Sequence, residues 1–121
     1  MEYFFDTYAI IELIKANPKY EFVKDKVITT SLMNIAELYY SLLLENKKET
    51  ADFIINELNF EILEISQEII LDSVLFRHKN KSLNLSYIDC LGYILSLKNN
   101  LIFLTGDKGF KDIKNVEFVS K

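Results

Sequence analysis

Short apolar segments alternate along this sequence with longer segments whose apolar residues recur at helical spacing. The short segments are rich in β-branched and aromatic residues, which favours strands at 3–5, 27–29, 60–65, 101–104 and 116–119. The longer segments predict helices at 7–15, 19–24, 31–45, 49–58, 66–78 and 86–97. Strands that alternate with helices usually pair in parallel and are covered on both faces. The pattern therefore predicts an α/β fold, a three-layer sandwich with a central, mostly parallel β-sheet flanked by helices.

Length and composition limit the number of domains. A chain of 121 residues supports one hydrophobic core more readily than two. We find no internal repeat and no internal linker, so we expect a single domain over residues 1–121. Only 3 Gly and 1 Pro are present, and this scarcity of turn residues disfavours an all-β fold.

Cysteine content and charge exclude several classes of protein. The one cysteine, Cys90, permits neither an intrachain disulfide nor a thiolate zinc cluster, and we expect it to be buried. The N-terminal segment lacks a basic region and no apolar run is long enough to cross a bilayer, so we expect a cytoplasmic protein. A net charge of -4 argues against a protein that coats nucleic acid, although it permits an enzyme that contacts a short piece of RNA.

Four acidic residues lie in or beside segments that are otherwise apolar and that we expect to be buried. An isolated carboxylate in such surroundings costs several kcal/mol unless it is paired or becomes neutral. No Lys or Arg in these segments could pair with it, so a bound cation would supply the missing positive charge. Each residue is the only charge of its segment or directly follows it: Asp6 in 3–11, Glu37 in 32–44, Asp89 in 86–97 and Asp107 after 101–104.

The predicted topology places these carboxylates at one edge of the sheet. Asp6 and Asp107 each follow the carboxyl end of an apolar strand, where open parallel sheets bind ligands. Asp89 lies in the first turn of a helix that runs antiparallel to the next strand, so that turn lies at the same edge. Glu37 lies about a turn and a half into the helix that leaves strand 27–29. We therefore expect the four side chains to meet in one crevice.

Four carboxylates in one crevice favour a site for hard divalent cations. Like charges at close range resist joint ionisation unless cations compensate them. Oxygen ligands prefer Mg²⁺ or Mn²⁺ to zinc. One or two such ions can hold a phosphodiester, activate a water molecule and stabilise the leaving oxygen.

Three of the acids also have a local structural explanation. Asp6 can cap the helix that follows its strand, and Asp107 can be a turn residue before a glycine. Asp89 fits a capping box with Ser86. Glu37 lies too deep in its helix to cap it, so the metal site is the better explanation for the four together.

Four short motifs around these acids resemble those of PIN-domain nucleases. Within that family, the length and the layout of the chain are similar to VapC-type toxins of toxin–antitoxin pairs. The resemblance extends from about residue 3 to residue 119 and depends on the order and spacing of the motifs. They are Phe5-Asp6-Thr7, Ile35-Ala36-Glu37-Leu38, Ser86-Tyr87-Ile88-Asp89 and Leu104-Thr105-Gly106-Asp107.

The resemblance implies an endoribonuclease that hydrolyses RNA phosphodiester bonds with Mg²⁺ or Mn²⁺ as the toxin of a type II pair. It also implies a homodimer and a cognate antitoxin protein. By the family pattern the acidic metal site and catalytic residues are Asp6, Glu37, Asp89 and Asp107. Thr105 matches a threonine that supports the last acid, and Thr7 has a similar position after the first acid. Asp112 is either an outer acid of the site or, more simply, a solvated loop residue.

Basic residues near the motifs are candidates for contacts with RNA. We expect 77–82 to form a polar, basic loop, and lysines follow the last motif. Phosphate contacts need only point charges, although ordinary solvated side chains explain the same residues. The lone histidine, His78, has no partner histidine, so we expect it at the surface rather than at a metal. The candidates are Arg77, Lys79, Lys81, Lys108, Lys111 and Lys114.

Other functional interpretations remain open. A PIN fold that has lost catalysis could serve as a scaffold or interaction module, although such a fold tends to lose its costly charges. A phosphate-accepting receiver or phosphatase-like protein is disfavoured, because no second aspartate lies two residues after Asp6 and no lysine ends strand 101–104. Amphipathic helices in 7–24 and 31–58 could receive a helix of an antitoxin, although core packing explains the same periodicity.

Overall fold

A computed structural model describes residues 2–120 and shows strands and helices in alternation. The strands are β1 (Tyr3–Phe5), β2 (Ile28–Thr30), β3 (Phe60–Ile62), β4 (Ile102–Thr105) and β5 (Val116–Phe118). The α-helices are α1 (Thr7–Ile14), α2 (Leu32–Glu45), α3 (Lys48–Glu57), α4 (Gln67–Lys79) and α5 (Tyr87–Lys98). Short 3₁₀ helices lie at Pro18–Val23, Lys81–Leu83 and Lys108–Phe110.

The strands form a parallel arrangement with β1 near its centre. β1 pairs with β4 and β4 with β5, while β2 pairs with β3, all in parallel. The Thr30 hydroxyl at the end of β2 donates a hydrogen bond to the Phe5 carbonyl at the end of β1, at 2.8 Å. This bond places β2 beside β1, so the three-stranded sheet β1-β4-β5 and the two-stranded sheet β2-β3 lie side by side in the order β3-β2-β1-β4-β5. The carboxyl ends of β1, β2 and β4 therefore share one edge.

Two hydrophobic clusters cover opposite faces of the strands, as the alternation of side chains along a strand requires. Phe4 and Phe103 belong to a cluster with α5, whereas their neighbours Phe5 and Leu104 belong to a cluster with α1 and α2. Helix α5 packs so closely that a Cβ on Gly92 would lie 2.8 Å from the Phe4 ring. The two clusters confirm the predicted α/β sandwich of three layers.

Some predicted boundaries were wrong. The segment predicted as a second helix is the 3₁₀ helix Pro18–Val23, and the strand predicted at 60–65 ends at Ile62 because β3 is an exposed edge strand. The helix predicted over 66–78 is α4, which ends at Lys79, and the rest of the basic loop predicted at 77–82 contains a 3₁₀ helix. Cations suit that position because they compensate the helix dipole at its C-terminus.

Burial agrees with the expectation for the cysteine, since Cys90 is fully buried. Within the described part of the chain, residues 2–120, none of the helices combines the length and the apolar composition needed to cross a bilayer.

Candidate active site

The four acids that the sequence singles out lie around one open cleft of about 350 Å³. Asp6 directly follows β1 and caps α1, while Asp107 follows β4 and caps a 3₁₀ helix. Asp89 lies in the first turn of α5, and Glu37 projects from α2. Each element presents its acid at the carboxyl edge of the strands, so the predicted meeting of the four side chains is what the fold produces.

Asp6 is held by two hydrogen bonds at the floor of the cleft, where it is only 2% exposed. The Thr7 backbone N–H donates to Asp6 Oδ1 at 2.9 Å, and the Thr105 hydroxyl donates to Asp6 Oδ2 at 2.6 Å. Thr105 also accepts the backbone N–H of Asp107, at 3.1 Å. Thr105 therefore joins the first and the last acid, although its carboxylate partner is Asp6 rather than Asp107.

Glu37 is oriented by a chain of hydrogen bonds that joins α2 to α1. The Thr7 hydroxyl donates to Glu37 Oε1 at 2.7 Å and accepts a bond from Asn34 Nδ2 at 3.0 Å. The Ser31 hydroxyl donates to Asn34 Oδ1 at 2.7 Å. The chain fixes the glutamate side chain relative to the end of β1, where Asp6 lies.

The last two acids are fixed by local bonds that the sequence predicted. Asp89 Oδ2 accepts the Ser86 backbone N–H at 2.8 Å, and the Asp89 backbone N–H donates to the Ser86 hydroxyl at 3.1 Å, which completes the capping box. Asp107 Oδ1 accepts the Gly109 N–H at 2.9 Å. These bonds explain where the two carboxylates point without removing them from the cleft.

The charges of the cleft are not balanced by basic side chains. Burial, reinforced by the charges of Asp89 and Glu37, raises the pKa of Asp6 to about 7 against the opposing hydrogen bonds of Thr105 and Thr7. Burial also raises the pKa of Glu37 and of Asp89, and each feels a further acid of the group. Among residues 2–120, the ion pairs that form involve other acids. The cleft is therefore a region of excess negative charge that a cation would relieve.

The sequence matches one family model, that of the PIN domain, over residues 3–116. The chain belongs to the PIN domain family. The matched region contains all four acids and all five strands except the end of β5. Membership agrees with the parallel sheet and with the edge at which the acids lie.

Solved structures share this PIN fold over nearly the whole chain. They include a toxin–antitoxin complex from Klebsiella pneumoniae, with a TM-score of 0.74, 21% identity, and coverage of 97% of this chain and 96% of that chain. VapBC2 from Rickettsia felis bound to a promoter DNA fragment has a TM-score of 0.71 and 23% identity, with coverage of 99% of this chain and 98% of that chain. VapBC-1 from nontypeable Haemophilus influenzae has a TM-score of 0.70 and 21% identity, with coverage of 99% of this chain and 98% of that chain. Among curated protein sequences, none matches this chain.

The PIN cleft suits a divalent cation in its donor chemistry but does not enclose one. Its donors are carboxylate oxygens, which Mg²⁺ and Mn²⁺ prefer. Within residues 2–120, no three His, Cys, Asp or Glu side chains are arranged to hold an ion between them. Mg²⁺ commonly takes only one or two carboxylates and keeps several waters or phosphate oxygens. The residues therefore fit an ion that is held partly through water and substrate.

Other predicted residues of this PIN domain lie outside the cleft. Arg77 is at the end of α4, where its Nε donates to the Leu85 carbonyl at 2.9 Å. His78 is exposed, as expected, and Asp112 is exposed and does not line the cleft. The remaining lysine candidates are exposed as well: Lys79, Lys81, Lys108, Lys111 and Lys114.

Sequence reasoning missed Asn34, which is completely buried between Ser31 and Thr7. A signal was available, since Asn34 is a polar residue in the apolar segment 32–44 and lies one turn before Glu37 on the same face of the predicted helix. It also missed Tyr8, which lines the cleft and packs where a Cβ on Gly106 would overlap its ring. No local sequence signal distinguishes this tyrosine from a core residue.

Proposed function

We propose that this chain is a metal-dependent endoribonuclease and the toxin of a type II toxin–antitoxin pair. The observation that supports the proposal most strongly is that four carboxylates from four elements line one cleft without basic partners among the described residues. A site of this kind is costly to the fold unless it binds cations. Membership in the PIN family supports the nuclease assignment.

Asp6, Glu37, Asp89 and Asp107 are the proposed ligands of Mg²⁺ or Mn²⁺. Bound there, the ion supplies a positive charge that orients the phosphodiester and lowers the pKa of a water. Thr105 is the proposed positioning residue for the first acid, because its hydroxyl donates to the buried Asp6 oxygen. Thr7 and Asn34 have the corresponding role for Glu37.

The proposed reaction is hydrolysis by water. The water oxygen forms a bond to phosphorus, the bond from phosphorus to the 3′ oxygen breaks, and the products carry a 5′-phosphate and a 3′-hydroxyl. The carboxylates hold the charge of the site in place so that little reorganisation is needed as negative charge moves to the leaving oxygen. Glu37 is half-buried and lines the cleft, and besides its role as a ligand we propose that one of its oxygens accepts the proton of the water.

An apolar groove beside the cleft supports the proposal of an antitoxin partner. Its volume is about 360 Å³, and Ile11, Ile14, Leu42 and Ile54 line it together with Leu44, which is 68% exposed. A groove between α1, α2 and α3 suits an amphipathic helix of a partner. The solved structures of similar fold are complexes of toxins with antitoxins, which is consistent with a partner of this kind.

Further expectations belong to the same proposal. Exposed apolar side chains of α4, among them Ile70, Leu71 and Leu75, form a face suited to a homodimer. The protein is proposed to act in the cytoplasm as a single domain, with RNA as its substrate.

The experiment that tests the proposal is cleavage of purified cellular RNA with Mg²⁺, with Mn²⁺ and with EDTA. We expect fragments only with a metal, and we expect Asp6→Asn and Asp89→Asn to reduce the rate by at least about 100-fold while the far-UV circular dichroism is unchanged. Asp25→Asn, the same chemical change at an exposed position, is the matched control. Cleavage that survives EDTA and both site variants would overturn the proposal.

The inactive scaffold is the second candidate, and one observation favours it. No three potential ligands among residues 2–120 are arranged around a single point. Isothermal titration with Mn²⁺ at neutral pH separates the two candidates. Binding that Asp6→Asn and Asp107→Asn each weaken supports the enzyme, whereas no binding by the wild-type protein supports the scaffold.

A further inference from the structure

An exposed aromatic ring begins the helix that carries one of the cleft acids, although the ring does not itself line the cleft. Tyr87 is the first residue of α5, and 59% of it is exposed. Asp89 lies in the same first turn of the helix and lines the cleft. Exposure alone is ordinary for an aromatic side chain, so what distinguishes this ring is how it is held and what surrounds it.

The ring is nevertheless held in a fixed orientation. The guanidinium of Arg77 lies over the Tyr87 ring, with Cζ 4.2 Å from the ring centroid. Arg77 is itself anchored, because its Nε donates to the Leu85 carbonyl at 2.9 Å. A cation stacked on an aromatic face stabilises that orientation. The guanidinium therefore backs one face of the ring while much of the ring remains open to solvent.

The surroundings of the ring are basic, in contrast to the cleft. A hollow of about 220 Å³ is lined by Val74, Arg77, His78, Lys81 and Tyr87. Residues 73–88 contain no acid. None of the ion pairs found within residues 2–120 involves the basic side chains that line this hollow. In a chain of net charge -4, this is a positive region, and Tyr87 joins it to the helix turn that carries Asp89.

We propose that Tyr87, backed by Arg77, is a stacking platform for one unpaired RNA base next to the phosphate that is cleaved. The proposal rests on the proposed ribonuclease function and adds a subsite for the substrate. An open aromatic face binds any base by stacking, and neighbouring cations bind the phosphates that flank it. Because a base in an A-form duplex is already stacked and paired, the platform selects RNA that is single-stranded at this position.

The test uses the full-length protein and single-stranded RNA of about ten nucleotides, a length that covers one such site. One abasic ribose is moved through otherwise identical oligonucleotides. Single-turnover cleavage with Mg²⁺ is measured for wild type, Tyr87→Ala and Tyr87→Phe. Phe53→Ala removes an aromatic side chain of similar exposure, 64%, on α3 and is the matched control. Binding of the same RNAs is followed by fluorescence anisotropy with Ca²⁺ in place of Mg²⁺.

We expect Tyr87→Ala to weaken RNA binding and cleavage by about 5- to 100-fold, the range for loss of one stacked base. In wild type, an abasic ribose at one particular position should weaken RNA binding and cleavage as much as Tyr87→Ala does. In Tyr87→Ala, the abasic ribose at that position should weaken them no further, because the ring and the base act as a pair. Tyr87→Phe and Phe53→Ala remain close to wild type.

The results that contradict the platform are distinct from those that contradict the nuclease. A Tyr87→Ala effect no larger than that of Phe53→Ala, or equal sensitivity of both proteins to every abasic position, overturns the platform. If wild type cleaves no RNA with any metal, the nuclease assignment falls, and the anisotropy of Tyr87→Ala against Tyr87→Phe still decides whether the ring binds a base.

Discussion

Replacing Asp6 by asparagine tests the physical basis of the site through the stability of the metal-free protein. The carboxyl group is buried, and its pKa is raised from 3.8 to about 7 by burial. The folded state therefore binds this proton more tightly than the unfolded state. The stability that this preference contributes is complete below pH 3.8 and is lost as pH rises through about 7. Without metal, wild type should become less stable over that interval.

The magnitude follows from the shift in pKa. A shift of roughly three units corresponds to about 4 kcal/mol in the free energy of unfolding. Asparagine carries no charge and avoids this cost, and its Oδ1 can still accept the Thr7 N–H. Its amide nitrogen cannot accept the Thr105 hydroxyl, which costs about 1 kcal/mol. We therefore expect Asp6→Asn to be more stable than wild type by about 3 kcal/mol at about pH 8 in EDTA.

Urea denaturation followed by far-UV circular dichroism, in EDTA and at several pH values, measures this difference. Asp6→Asn should show a smaller decrease in stability with pH than wild type, and Asp25→Asn, at an exposed carboxylate, should match wild type. Adding Mg²⁺ should stabilise wild type more than the variant, because a ligand of the folded state stabilises it by mass action. If Asp6→Asn is less stable than wild type at every pH, the ionised Asp6 does not lower the free energy of unfolding as we infer.

Four further experiments test the groups that hold the acids, the packing beside the cleft and the binding of the metal. Thr105→Val removes the hydroxyl that donates to Asp6, so it should lower stability by about 1–3 kcal/mol and raise the pH at which cleavage begins. Thr105→Ser should keep the stability and the pH profile of wild type, whereas an unchanged pH profile in Thr105→Val would count against the positioning role of Thr105. Asn34→Ala leaves Thr7 without its donor, so cleavage should fall, by less than in Glu37→Gln, which is checked by single-turnover rates. Gly106→Ala places a methyl group against the Tyr8 ring and should cost about 1–3 kcal/mol in thermal or urea unfolding; wild-type stability would show that the ring moves freely. Mg²⁺ should raise the melting temperature of wild type but not of Asp89→Asn, and equal shifts would argue that the ion binds elsewhere.

The order and type of most elements could be predicted because local chemistry sets them. Ser31, Ser66 and Ser86 begin helices as predicted, and each hydroxyl accepts a backbone N–H of the first turn. The four acids could be found because a lone charge in an apolar segment is visible without knowledge of the fold. Their use as metal ligands remains a proposal.

Errors in the prediction arose where a segment's structure depends on distant neighbours. The strand predicted at 60–65 ends at Ile62 because β3 has a partner on one side only, and sequence periodicity does not reveal an edge. The basic stretch 77–82 is predicted as a loop because polarity suggests one, although the helix predicted over 66–78 already reaches into it and α4 ends at Lys79. The residues that follow form a 3₁₀ helix at Lys81–Leu83, which has no periodicity long enough to be recognised in the sequence.

The sequence by itself determined the alternation of strands and helices, the caps of the helices and the identity of the four isolated acids. Only the tertiary structure decided which distant groups hold Asp6 and Glu37. Thr105 donates to Asp6, 99 residues away, and Thr7 donates to Glu37, 30 residues away. The physical reason is range: caps and periodicity arise from interactions within one or two turns, whereas these hydrogen bonds form only after parallel strands have brought distant segments to one edge.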